Sequence, residues 1–78
     1  MVNEKVINLY EAKKLGVFEV ASVPAIGSLE NLGLREGTQI ILQNRYIMGG
    51  PVLLRVEGAY SIALGKDIAE QITVTELS

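Results

Sequence analysis

The chain has 78 residues, 49% hydrophobic and 21% charged, with seven Lys or Arg against nine Asp or Glu, a net charge of −2, and neither cysteine nor histidine. That length allows one small core, and this much apolar content predicts a fold without staples rather than disorder. The missing residue types exclude disulfides, thiolate chemistry, the usual zinc sites and histidine acid–base catalysis, and the scattered basic residues form no phosphate-neutralising stripe, so no nucleic-acid partner is expected.

Asn8 followed by Glu11 has the spacing of a capping box, predicting a short helix over Leu9 to Leu15 that Gly16 ends. Val17 to Val23 is rich in β-branched and aromatic residues and reads as a strand stopped by Pro24, with either face possible for the core. Between Ile26 and Leu34 one or two helical turns are expected, with Ser28 as N-cap and Gly33 just past the end. Gly37 then reads as a turn before a strand from Thr38 to about Tyr46, with Ile40 and Leu42 on one face and Gln39, Ile41, Gln43 and Arg45 on the other.

Gly49-Gly50-Pro51 separates that strand from Pro51 to Glu57, where Val52, Leu54 and Val56 share one face. Glu57-Gly58-Ala59 is short enough for a hairpin into Tyr60 to Leu64, a strand that Gly65 closes. Asp67 and Glu70 again have capping-box spacing, and Ile72 to Thr75 forms a last strand with Ile72 and Val74 inward. Parallel crossovers would need longer helices than these intervals hold. The expectation is a mainly β fold, a small closed or nearly closed SH3-like barrel of about five strands with short helices, as a single domain over residues 1–78 with an ordered core at about 7–75. Apolar runs such as Val52-Leu53-Leu54 fall far short of the roughly 20 residues a membrane helix needs. No signal peptide is read at Met1-Val2-Asn3-Glu4-Lys5, so a cytoplasmic location is expected.

The order of these signals resembles the FeoA family: an early helix ending in glycine, Leu32-Gly33-Leu34-Arg35-Glu36-Gly37-Thr38, then Gly49-Gly50-Pro51-Val52, Ile62-Ala63-Leu64 and Ala69-Glu70-Gln71-Ile72-Thr73-Val74. The resemblance implies an SH3-like barrel and a non-enzymatic accessory role in bacterial ferrous-iron uptake. It implies contact with a FeoB-type permease carrying a cytosolic GTP-binding domain, and with the membrane only through that partner. An alternative is a stand-alone adaptor related to the C-terminal domain of metal-dependent transcription repressors. Two departures stand out: Gly27-Ser28-Leu29-Glu30-Asn31 lacks the basic residues common in that helix, and Gly65 stands where members commonly place an arginine.

No catalytic residue, cofactor or metal ligand is expected. Asp67 and Glu70 are the only acidic pair at helix-face spacing, and a helix cap explains both. Gly33 and Gly37 lack the lysine and hydroxyl of a nucleotide-binding loop, and Pro51 removes an amide donor beside Gly49 and Gly50. Gly16, Gly33, Gly37, Gly49, Gly50 and Pro51 are therefore read as turn-defining. Tyr46-Ile47-Met48 is different, because three sizeable apolar residues border a turn where loops are normally polar. Either they fold back over an open barrel end or they stand exposed as a partner-binding patch, with Leu29 and Leu32 posing the same question. Arg45 and Arg55 read as solvated strand-face charges.

Overall fold

In a computed structural model, residues 5–77 are described. They form six antiparallel strands: β1 (Val6–Asn8), β2 (Val17–Ser22), β3 (Gln39–Arg45), β4 (Val52–Val56), β5 (Tyr60–Leu64) and β6 (Thr73–Glu76). Two short helices, α1 (Gly27–Asn31) and α2 (Lys66–Ala69), and a 3-10 turn at Leu9–Glu11 complete the order. The stretch read as lacking a signal peptide lies outside the described residues except for Lys5. One sheet runs β1-β6-β2-β3-β4-β5, so its two ends are not paired with each other among the described residues. The sixth strand is β1, which ends on the capping residue Asn8 and pairs with β6 through Ile7 opposite Val74.

One face of this sheet and the short elements enclose a single core. Phe18 and Val20 of β2, Ile40 and Leu42 of β3, and Val52, Leu54 and Val56 of β4 are buried, joined by Leu64, Ile72 and Val74. The register of β2 is thereby decided: Phe18 and Val20 face inward, and Glu19 is exposed. Two irregularities bend the sheet around the core, one in β2 between Val20 and Ser22 and one in β3 between Leu42 and Asn44. An extra residue on one strand breaks the ladder locally and increases its twist.

Local expectations held unevenly. Asn8 does cap, its Oδ1 accepting from the Tyr10 amide at 2.7 Å, but only one 3-10 turn follows rather than a helix to Leu15. The reason is tertiary: the Leu15 amide donates to Leu42 O at 2.6 Å, so this segment's donors are committed to β3. Leu15 itself takes the left-handed conformation there, at φ 68°. Gly16 has a different role from the one expected, because a β-carbon would lie 2.8 Å from the Phe18 ring and 3.0 Å from Lys13 O. Ser28 is not the N-cap of α1. Ile26 occupies that position with no side-chain bond, its own amide turned onto Pro24 O at 2.8 Å. Asp67 likewise lies inside the first turn of α2, whose N-cap is Gly65, so the second capping box does not form.

The end of α1 follows expectation closely. Gly33, at φ 87°, donates to Glu30 O at 2.9 Å, and the Leu34 amide donates to Leu29 O at 2.9 Å. These are the two bonds of a Schellman motif, and the apolar contact that accompanies it falls on Leu29 and Leu34, both buried.

Candidate functional site: the β3–β4 hairpin tip

Beyond Arg45 the chain leaves the sheet through Tyr46 to Pro51, and the Tyr46 amide donates to Pro51 O at 3.0 Å. Between them Ile47–Gly50 makes a tight turn, closed by Gly50 N donating to Ile47 O at 3.3 Å. Its central residues, Met48 at φ 62° and Gly49 at φ 78°, both have positive φ, as a type I′ turn requires. That conformation suits glycine and is costly for a side chain such as methionine. Gly50 is needed for space rather than for φ, since a β-carbon would approach Tyr46 Cβ at 2.8 Å.

The consequence is an apolar tip standing in solvent. Ile47 is 84% exposed, Met48 95% and Tyr46 47%. The three side chains do not fold back over the barrel. Leu29 corrects the sequence reading, because at 3% exposure it is a core residue that the Schellman contact buries, out of reach of a partner. Leu32, 36% exposed, caps α1 at some remove, its carbonyl accepting from the Tyr60 hydroxyl at 2.5 Å.

The base of the tip is tied down. The Tyr10 hydroxyl donates to Gly50 O at 3.1 Å. Arg45 Nη1 donates to Tyr10 O at 3.0 Å and to Ala12 O at 2.7 Å. Arg45 Cζ lies 6.0 Å and Lys66 Nζ 5.5 Å from the Tyr10 ring centroid, within cation–π range. Arg45 is therefore a half-buried tie rather than a solvated charge. The irregularity after Leu42 explains this: it sets Arg45 opposite Val52, a core-facing position, instead of on the face it would share with Gln43 by strict alternation. Tyr10, Arg45 and Lys66 as supports of the tip were not legible in the sequence, where nothing links residues so far apart. Arg55, by contrast, is held locally, donating to Gly58 O at 2.9 Å.

Concavities lie elsewhere among the described residues. One of about 390 Å³ opens between the Gly33–Thr38 corner and the Val56–Tyr60 hairpin, and one of about 240 Å³ lies beside α1, floored by Leu29 and Leu34. The first is shaped by the corner itself, where Thr38 Oγ1 donates to Gly33 O at 3.1 Å and accepts from the Arg35 amide at 3.3 Å. Gly37, at φ 91°, completes the turn and donates to Val20 O at 2.9 Å. Among the described residues, no three of the Asp, Glu, His and Cys type come together as a metal-binding group. None of their helices is long and apolar enough to cross a membrane.

With this architecture in view, the model of the FeoA domain matches residues 7–76. The chain belongs to the FeoA domain family. A search of curated proteins found no match. Among solved structures the chain is similar to a crystal structure of an iron uptake regulatory protein (FeoA), at 28% identity and TM-score 0.83, over 94% of this chain and 99% of that one. It is similar to the NMR structure of a FeoA-like protein from Clostridium acetobutylicum, at 28% identity and TM-score 0.79, over 100% of this chain and 92% of that one. A manganese-dependent transcriptional repressor shares the fold, with TM-score 0.84 at 17% identity, and the match spans 99% of this chain but 45% of the repressor. The FeoA domain seen here is thus the mainly β, SH3-like fold of these proteins, and it carries the glycine corners on which the sequence resemblance stood.

Proposed function

We propose that this chain is a non-enzymatic accessory module of ferrous-iron uptake that works in the cytoplasm by contacting the cytosolic part of a FeoB-type GTP-binding permease. The contact is made by the Tyr46-Ile47-Met48 tip. Membership of the FeoA domain family and the likeness to a protein described as an iron uptake regulator support the iron context. The observation that carries the mode of action is the tip, in which two almost fully exposed apolar side chains sit on a base held by Tyr10 and Arg45. Apolar side chains in water are costly to leave uncovered when they adjoin one another, and a preorganised base reduces the entropy lost on binding. Methionine adapts to irregular surfaces, and tyrosine is a frequent interface anchor.

Binding of the purified chain to the cytosolic portion of the permease from the same genome tests this, by calorimetry with melting curves alongside. Ile47→Ser is expected to weaken affinity about tenfold, equivalent to about 1.4 kcal/mol, with little change in melting. Met48→Gly separates fold from function more sharply. It relieves the positive φ, raising stability by about 0.5–1 kcal/mol, while removing the apolar contact and lowering affinity. Unchanged affinity in both variants, with both folded, places the contact elsewhere.

A further inference from the structure

β5 ends the sheet, and its backbone groups on the side away from β4 have no hydrogen-bond partner among the described residues. Natural edges are usually blunted by lysine, proline, inward charges or a bulge, because an open edge templates further pairing. Tyr60-Ser61-Ile62-Ala63-Leu64 has none of these devices, and its pairing with β4 is regular over all five residues. The opposite edge, β1, is three residues long and follows Lys5. Ile62 faces the core side yet is only half-buried, and Tyr60 stays exposed, as side chains on that face do where the sheet simply stops.

We propose that β5 is a self-pairing edge, joining antiparallel to β5 of a second copy of this chain about a two-fold axis at Ile62. The strand is nearly palindromic for such pairing. Ile62 meets Ile62 of the second copy, Ser61 stands opposite Ala63, and Tyr60 opposite Leu64. This is the antiparallel register that pairs all five residues. No like charges meet within the seam, because the strand has no charged residue. The axis covers the exposed part of Ile62 and satisfies the outward amides and carbonyls of both strands, giving an isologous dimer with one continuous sheet. An extended segment of another protein would compete for the same edge. The second copy is favoured by the palindromic, uncharged seam.

The test is sedimentation equilibrium of the full chain across a concentration series, with an expected shift from the 8.4 kDa monomer toward twice that mass. So small a contact is expected to dissociate in the range of tens of micromolar, and a protein still monomeric at about 0.5 mM overturns the proposal. Ser61 and Ala63 are exposed, so S61K/A63K and S61E/A63E are expected to fold. Each alone is expected to lose more than tenfold in dimer affinity. Mixing the two restores dimers, because every lysine then faces a glutamate. Dimers that persist equally in both charged variants place the seam elsewhere and overturn it. Should the variants fail to fold, amide exchange of the wild type decides: the outward amides of β5 slow at least tenfold between dilute and concentrated samples, and unchanged rates refute the pairing.

Discussion

Thr38 shows how one side chain can hold a corner. It is buried, and its hydroxyl both donates to Gly33 O and accepts from the Arg35 amide, so two backbone groups that the Schellman exit leaves near the turn find a partner. Thr38→Val keeps shape and burial but removes the hydroxyl, stranding both groups. Chemical denaturation should show a loss of about 1–2 kcal/mol with an unchanged m-value. The neighbouring glycines illustrate how one residue type answers different demands. Gly37 holds positive φ beside open space, Gly16 and Gly50 leave room for the Phe18 ring and for Tyr46, and Gly33 does both, since a β-carbon there would run into the Tyr60 hydroxyl. Reading all of them as turn residues leaves out steric space, decided by what packs above, which three of them provide.

At the scale of elements, both hairpin turns place a side-chain-bearing residue at a first central position of positive φ, followed by a glycine. The β4–β5 connection has Glu57 at φ 51° and Gly58 at φ 70°, with Ala59 N donating to Val56 O at 2.9 Å. Asparagine tolerates that first position better than glutamate, so Glu57→Asn should raise stability by about 0.5–1 kcal/mol, read as a rise in melting temperature of several degrees. The β3–β4 connection places Met48 in the same region and leaves it exposed. Strain at an exposed residue with no packing return is a reason to look for a partner there. Helix elements were the least legible. The capping signals at Asn8, Ser28 and Asp67 were all present in sequence, yet only Asn8 caps, because the other helices begin where backbone contacts such as Ile26 to Pro24 O start them.

For the whole molecule, one small core has little redundancy. Leu54 lies at the centre of β4, fully buried, with Leu42 opposite on β3 and Ile62 opposite on β5. Leu54→Ala is expected to cost about 3 kcal/mol through lost burial and the cavity left behind. In a domain of this length that lowers the melting temperature by roughly 15 °C, read in a thermal melt. The sheet's bends carry the remaining architecture, because they curl six strands around that core while leaving β1 and β5 as free ends.

From residue order alone one could derive the strand faces of β4 and of β3 as far as Leu42, the glycine exit from α1, the mainly β class and the family resemblance. All of these rest on local backbone preference and two-residue alternation, which neighbours in sequence are sufficient to express. Tertiary structure decided the rest. Whether Leu29 was core or surface depended on Leu34 closing the Schellman contact. Which face Arg45 took depended on an irregularity that pairing with β4 reveals, and the support of the tip by Tyr10 joins residues 40 positions apart. Such long-range contacts leave no periodic trace in a single chain, because they are selected by the geometry of the closed core and not by the residues beside them.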